Sequence, residues 1–298
     1  MNNNHLIKKI LFLLAISCSI SAPAAEKLSV YAVNYPLKYF AERIGGDHVD
    51  ITFPAPADVD PAFWVPSAEI IAAYQQADLI LLNGADYAKW VKRTSLPMLK
   101  TLDTSRYYKE KYIYKADAMV HSHGSEAEHS HGETAFTTWL DFDLAILQAK
   151  AIAETLSQKR PDLEHVYQLN FEALKKDLLT LDQEMLEIVG KNVTQPLVAS
   201  HPVYQYLARR YQIPIKSVHW EPELVPDQAQ WDNLKNIVDT DHPQWMIWEG
   251  NPNQVTLRRL KSQGIKSAVF KPCANKPEQG DWLAVMRQNL DNLRKVYQ

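Results

Sequence analysis

A chain of 298 residues, 46% of them hydrophobic, is long enough to bury one large core or two of ordinary size. Its formal charge of −3 argues against a nucleic-acid binder, which carries a basic excess.

The N-terminus reads as an export signal. Lys8 and Lys9 precede an apolar run from Ile10 to Ile16, a short stretch follows to Ser21, and Ala22-Pro23-Ala24 supplies the small residues of a cleavage site. The run is too short for a permanent membrane anchor. Cleavage is expected after Ala24, giving a soluble periplasmic protein. Cys18, preceded by Ala15-Ile16-Ser17, is a weak lipoprotein signal that lacks the usual Leu three residues before it. No other segment is apolar for long enough to span a bilayer. With residues 1–24 removed, Cys273 alone remains of the two cysteines, which excludes an intrachain disulfide despite the oxidising compartment.

Strands and helices alternate in the first half. Leu28 to Val33 is a short β-rich run. Pro36 opens a helical stretch that stops at Gly45-Gly46, with Pro early and Gly late as helices prefer. Val49 to Phe53 alternates as a strand, and Ser67 caps a helix running to about Gln76. Ala77 to Leu82 is a continuous apolar run ended by Asn83-Gly84, the pattern of a buried parallel strand.

Residues 121–133 are low in complexity, with His121, His123, His129 and His131 and no core-forming residue. Such a segment cannot bury itself and is expected to be a mobile surface loop. Paired H-x-H motifs also suit weak, multivalent zinc capture; incidental, solvated histidines are the other reading.

A long helical signal follows. Tyr167, Phe171, Leu174, Leu178, Leu181, Met185 and Ile188 alternate in spacing by four and three, one apolar stripe along about six turns. Gly190 ends it. Beyond it the first half's rhythm repeats. Strands are expected at 197–200, 213–218, 245–248 and 266–270, with helices at 202–211, 227–238, 254–263 and 281–296. This alternation means parallel sheets with helices on their faces.

The order of these elements, Ala77-Asp78-Leu79-Ile80 leading to Asn83-Gly84, the His-rich loop, the linking helix and Met286-Arg287-Gln288-Asn289-Leu290 together resemble the family 9 solute-binding proteins, which deliver zinc or manganese to ABC transporters. The resemblance implies an α/β protein of two lobes, each with a mainly parallel sheet flanked by helices, joined by one long linking helix. The divisions are 1–24 for the signal, 25–162 for the first lobe with the His-rich loop, 163–190 for the helix and 191–298 for the second lobe. The ligand would lie in the cleft between the lobes. Zn2+ would be the transported ligand rather than a cofactor, and an ABC permease the partner of a monomer.

The resemblance also implies four metal ligands, and here the sequence departs. A His is normal after Asp-Pro, but Asp60-Pro61 is followed by Ala62. A His is normal two residues before Trp-Leu, but Thr137 precedes Thr138-Trp139-Leu140. His201 is retained. An Asp is normal before Pro, but Lys271 precedes Pro272. Zinc needs three or four N, S or O donors. Unless other groups move in, the inherited site holds metal weakly and the loop carries most of it. Asp60, Glu249, His219, Glu221 and Cys273 are the nearest substitutes, and a cation at Lys271 is expected to acidify the Cys273 thiol.

Bland readings stand beside these. His201 starts a helix after a strand, where α/β ligands sit, yet a capping role fits the same place. For His219, Glu221 and Glu223, Pro222 and the following helix cap favour a solvated loop over a ligand cluster. Trp64, Trp139, Trp220 and Trp248 fit partial burial in a core better than an aromatic cleft lining. No G-x-S-x-G, P-loop, H-E-x-x-H or placed G-x-G-x-x-G points to an enzyme. The expected function is a periplasmic metal-binding component, with Asp60, Trp64, Thr137, His201, Glu249 and Lys271 at the cleft. The alternatives are a diverged cleft for an organic or metal-chelate ligand, and an accessory or adhesive role.

Overall fold

Asn34, two residues beyond the first strand, caps the first helix: its side-chain oxygen accepts the Leu37 amide at 3.1 Å. This computed structural model describes residues 26–114, 120–122, 128–130, 134–190, 192 and 194–298, with backbone alone for 120–122 and 128–130. The export signal, Cys18, His123 and His131 lie outside the described residues. Among the described residues no helix is long and apolar enough to cross a membrane.

The first lobe runs β1 (Leu28–Ala32), α1 (Tyr35–Gly45), β2 (Val49–Thr52), α2 (Ala68–Gln76), β3 (Leu79–Leu82) and β4 (Thr101–Asp103). Its four strands pair in parallel in the order β2-β1-β3-β4. Ser67 caps α2 as the sequence implies. The Asn83-Gly84 turn after β3 needs glycine. Gly84 has φ 74°, and a Cβ there would meet Ser105 Oγ at 2.0 Å. The short β4 is absent from the sequence reading.

The His-rich segment differs from the expected loop. Its backbone pairs β5 (Val120–Ser122) with β6 (Glu128–Ser130) as an antiparallel ribbon, with His121 opposite His129. An isolated bridge between Tyr114 and Thr134 closes its base.

Two helices then carry the chain between lobes. The sequence reading did not register α3 (Phe142–Lys159), capped by Asp141. It buries Phe142, Leu144, Ala149, Ile152 and Ala153 among others, so its apolar face is too broad to read as a stripe. The linking helix α4 (Glu164–Val189) appears as expected, with all seven stripe residues buried. The second lobe runs β7 (Leu197–Ala199), α5 (Gln205–Tyr211), β8 (Ile215–Ser217), α6 (Gln228–Asp241), β9 (Trp245–Trp248), α7 (Gln254–Ser262), β10 (Lys266–Val269) and α8 (Trp282–Tyr297). Its parallel sheet has the order β10-β9-β7-β8, the topology of the first lobe repeated.

Cross-lobe contacts are specific. Trp282, at the start of α8, packs on Phe40 and Phe142 at ring distances of 5.1 and 6.2 Å. Trp139 Nε1 donates to the Pro272 carbonyl at 2.8 Å. Tyr206 OH donates to the Ala135 carbonyl at 3.1 Å. Asn275 Nδ2 donates to the carbonyls of Pro56 and Val59 at 2.6 and 2.8 Å, which holds the first-lobe loop that carries Asp60. Trp139, Trp220 and Trp248 are fully buried in cores, and Trp64 is half-buried.

Candidate functional site

Parallel sheets collect ligands outside the carboxyl ends of their strands, at the point where the strand order reverses. In the second lobe that point lies between β7 and β9. His201 stands two residues beyond β7 and Glu249 one beyond β9. The two strands are in register, with Ala199 opposite Ile247, and Ser200 N bonds the Ile247 carbonyl at 2.9 Å. This brings His201 Nδ1 to 3.1 Å from Glu249 Oε1.

The neighbouring strand β8 delivers the other face. Val218 N and Trp220 N bond the carbonyls of Ala199 and Ser200 at 2.9 and 2.8 Å, so the chain after β8 runs alongside His201. The His219 ring lies 5.7 Å from the His201 ring, edge-on. Glu221 Oε1 lies 3.5 Å from His201 Nε2. Gly250 makes this approach possible. A Cβ there would press on Pro222 Cγ at 3.2 Å. Asn253 ties the two loops, donating its amide to the Pro222 carbonyl at 2.7 Å and Nδ2 to the Glu223 carbonyl at 3.2 Å.

The expectation of a plain solvated loop at 219–223 is therefore corrected: His219 and Glu221 flank His201. The missed signal was topological. Residues 18 and 20 positions beyond His201 follow the next strand of the same sheet, so their loops share one sheet edge.

Charge in this cluster is unbalanced toward acid. The His201 side chain is 7% exposed, Glu221 29% and Glu249 23%. Burial pulls the His201 pKa down. The Glu249 hydrogen bond and the charges of Glu249, Glu221 and Asp60 outweigh it, so the pKa stands above the ordinary histidine value. Asp60 belongs to the first lobe, where its carboxylate accepts the Ala62 amide at 2.8 Å. The arrangement is an acidic, imidazole-centred cluster whose charge attracts a cation. Among the described residues, no three His, Cys, Asp or Glu side chains already converge as a full metal site.

A family model described as zinc-uptake complex component A, periplasmic, matches residues 30–296. The chain belongs to this family. The zinc-binding lipoprotein AdcA of Streptococcus pneumoniae is 27% identical over 315 residues, covering 97% of this chain but 61% of AdcA. The high-affinity zinc uptake system protein ZnuA of Bacillus subtilis is 26% identical over 308 residues, covering 95% of this chain and 93% of that protein. The crystal structure of the Zn(II)-bound ZnuA-like domain of Streptococcus pneumoniae AdcA superposes with a TM-score of 0.76 at 22% identity, covering 91% of this chain and 99% of that one. That likeness shows a shared two-lobed fold.

The three positions where the resemblance implies a ligand that this sequence lacks have definite places in the fold. Ala62 is fully buried in the core, and its carbonyl accepts the Lys89 amide at 3.1 Å. Thr137 is buried too, and its hydroxyl donates to the Val203 carbonyl across the lobe boundary. Lys271 is exposed, held by its backbone: its N and O bond the Asn289 side chain at 2.8 and 2.7 Å. Trp64 is placed by its amide, which bonds the Asp60 carbonyl at 2.9 Å.

Cys273 reverses its expectation. Burial pushes the thiol up to about 12, and the nearby Lys271 charge lowers it too little to compensate. The thiol faces the Asn275 carbonyl at 3.8 Å.

Proposed function

We propose that this protein is the solute-binding component of a zinc-type ABC uptake system, taking the ion at the inter-lobe cleft and passing it to a membrane permease. The observation that carries the reading is His201 set between Glu249 and Glu221 at the switch point of the second sheet, with Asp60 adding charge from the first lobe. His219 and Asp60 supply further donors of the type zinc accepts. They take the place of the ligands lost at Ala62, Thr137 and Lys271. Family membership and relatives named for zinc binding and uptake support the same cargo.

His121, His123, His129 and His131 act as a separate, weaker collecting site. The lobes divide at residues 25–162 and 191–298, with α4 between them, and the protein works as a monomeric binder without catalysis. It is exported and cleaved after Ala24. Relatives named lipoproteins make acylation at Cys18 the competing outcome, which the N-terminal mass of the exported protein decides.

Calorimetry with zinc tests the assignment. His201→Ala should abolish the tighter class of sites and leave the weaker one. Changing the four loop histidines to Ala should do the reverse. Unchanged tight binding in His201→Ala overturns the cleft assignment.

A further inference from the structure

Glu249 and Glu221 approach opposite nitrogens of one imidazole, and the two distances have different meanings. The 3.1 Å between His201 Nδ1 and Glu249 Oε1 is a hydrogen bond. The 3.5 Å between Nε2 and Glu221 Oε1 is long for one. It is close to the separation of about 3.4 Å that two donors adopt on one tetrahedral zinc ion with bonds near 2.0–2.1 Å. We infer that Glu249 is a positioning residue that holds His201 in its Nδ1–H tautomer, so that Nε2, beside Glu221, presents its lone pair to the metal. The inference rests on the proposed zinc site and assigns the labour within it.

The chemistry follows from the imidazole. A neutral ring has one donor and one acceptor nitrogen. Free histidine favours the proton on Nε2, which would occupy the nitrogen that faces Glu221. An ionised carboxylate accepts and does not donate, so Glu249 beside Nδ1 selects the other tautomer. A metal-bound histidine commonly donates its second ring N–H to such a carboxylate, which also makes the coordinating nitrogen more basic.

The fold keeps Glu249 at this post. It is the first residue beyond β9, a central strand whose Trp248 is fully buried. The Phe270 amide bonds the Trp248 carbonyl at 2.8 Å, and the Asn253 bonds fix the loop that follows. Glu221, by contrast, sits on the longer connection between β8 and α6. That placement suits a ligand able to shift by a few tenths of an ångström as an ion is seated.

The test combines nitrogen-15 NMR of the full-length exported protein with zinc titration against a chelating dye. At alkaline pH, where the ring is neutral, metal-free wild type should show His201 as the Nδ1–H tautomer, and zinc should shift Nε2. Glu249→Leu should give a mixed or Nε2–H population and lose zinc affinity by about 10–100-fold. Glu249→Gln, which keeps the shape but also donates, should fall between them. If Glu249→Leu folds poorly, Glu249→Gln carries the comparison. A wild-type Nε2–H tautomer, a zinc-induced shift at Nδ1, or an unchanged affinity and tautomer in both variants overturns the inference. Failure of the zinc site itself would show separately, as equal zinc affinity in wild type and His201→Ala.

Discussion

Asn34 and Asn83 occupy in the first lobe the places that His201 and Glu249 occupy in the second. Asn34 lies two residues beyond β1, as His201 lies two beyond β7. Asn83 lies one beyond β3, as Glu249 lies one beyond β9. Each pair is joined at 3.1 Å. The same sheet topology thus builds two switch-point pairs. One is amide to amide and sealed, with both side chains at most 1% exposed. The other is imidazole to carboxylate and lies beside the partly exposed Glu221.

The sealed pair makes a stability prediction. Asn83 accepts from Asn34 Nδ2 and from Gln148 Nε2, each at 3.1 Å, and donates to the Phe136 carbonyl at 2.9 Å. Leaving one such buried group unpaired costs about 1–3 kcal/mol. Asn83→Leu orphans at least the Asn34 amide and the Phe136 carbonyl. Urea denaturation should show a loss of roughly 3 kcal/mol. A variant as stable as wild type would mean that the network relaxes without cost.

A second prediction concerns the seam between the linking helix and the second lobe. Arg210 of α5 grips Asp182 of α4 through two bonds, at 3.0 and 2.7 Å, and Tyr211 OH donates to the same carboxylate at 2.8 Å. Asp182 is buried, while Arg210 keeps some solvent and a second partner in Asp143. Breaking a buried pair costs about 3–5 kcal/mol when the survivor has nothing else; here the loss should be about 2 kcal/mol. Asp182→Ala should therefore lower the melting temperature measurably, and a neutral result would show that Asp143 alone satisfies Arg210.

Most of the fold was legible in the sequence because most of its signals are local. The Ser67 cap, the Gly45-Gly46 stop and the four-three stripe of α4 each act within a few turns of chain. What escaped was short or non-local. β4 has three residues, too few for a period, and α3 is apolar on too many sides. The meeting of His219, Glu221 and Glu249 around His201 depends on strand order, which periodicity does not encode. The exposure of the Lys271 side chain, on a backbone held by Asn289, is likewise set by tertiary contacts that a local pattern does not carry.

Cys273 offers a chemical check. Its pKa of about 12 leaves almost no thiolate at neutral pH, and the thiolate is the reacting form. Iodoacetamide should modify native protein far more slowly than an unfolded control. The rate should rise about tenfold per pH unit and level off only near pH 12. The backbone at Cys273 is left-handed, with φ 58°, a conformation that glycine adopts freely, so Cys273→Gly should fold at least as readily as Cys273→Val. Fast labelling at neutral pH would place the thiol beside a stronger cation than Lys271.

The last prediction follows the proton on His201. Glu249, Glu221 and Asp60 face it as acids, and His219 lies edge-on to it. The folded pKa is raised above the unfolded value of about 6.5, because the acidic neighbours outweigh burial. The native state therefore binds this proton more tightly than the unfolded chain does. The resulting stabilisation is fully present below about pH 6.5 and is lost as pH rises through the folded pKa. In metal-free protein, the melting-temperature advantage of wild type over His201→Gln should shrink across that window. Subtracting the variant cancels the other titrating groups to first order. Zinc works against the proton, since a coordinating imidazole must be neutral, so zinc affinity should rise over the same window. The zinc-loaded wild type should then hold its stability across the window where the metal-free protein loses it. Parallel metal-free curves for wild type and His201→Gln would show that the acidic ring does not hold the proton, and a zinc affinity independent of pH would remove His201 from the ligand set.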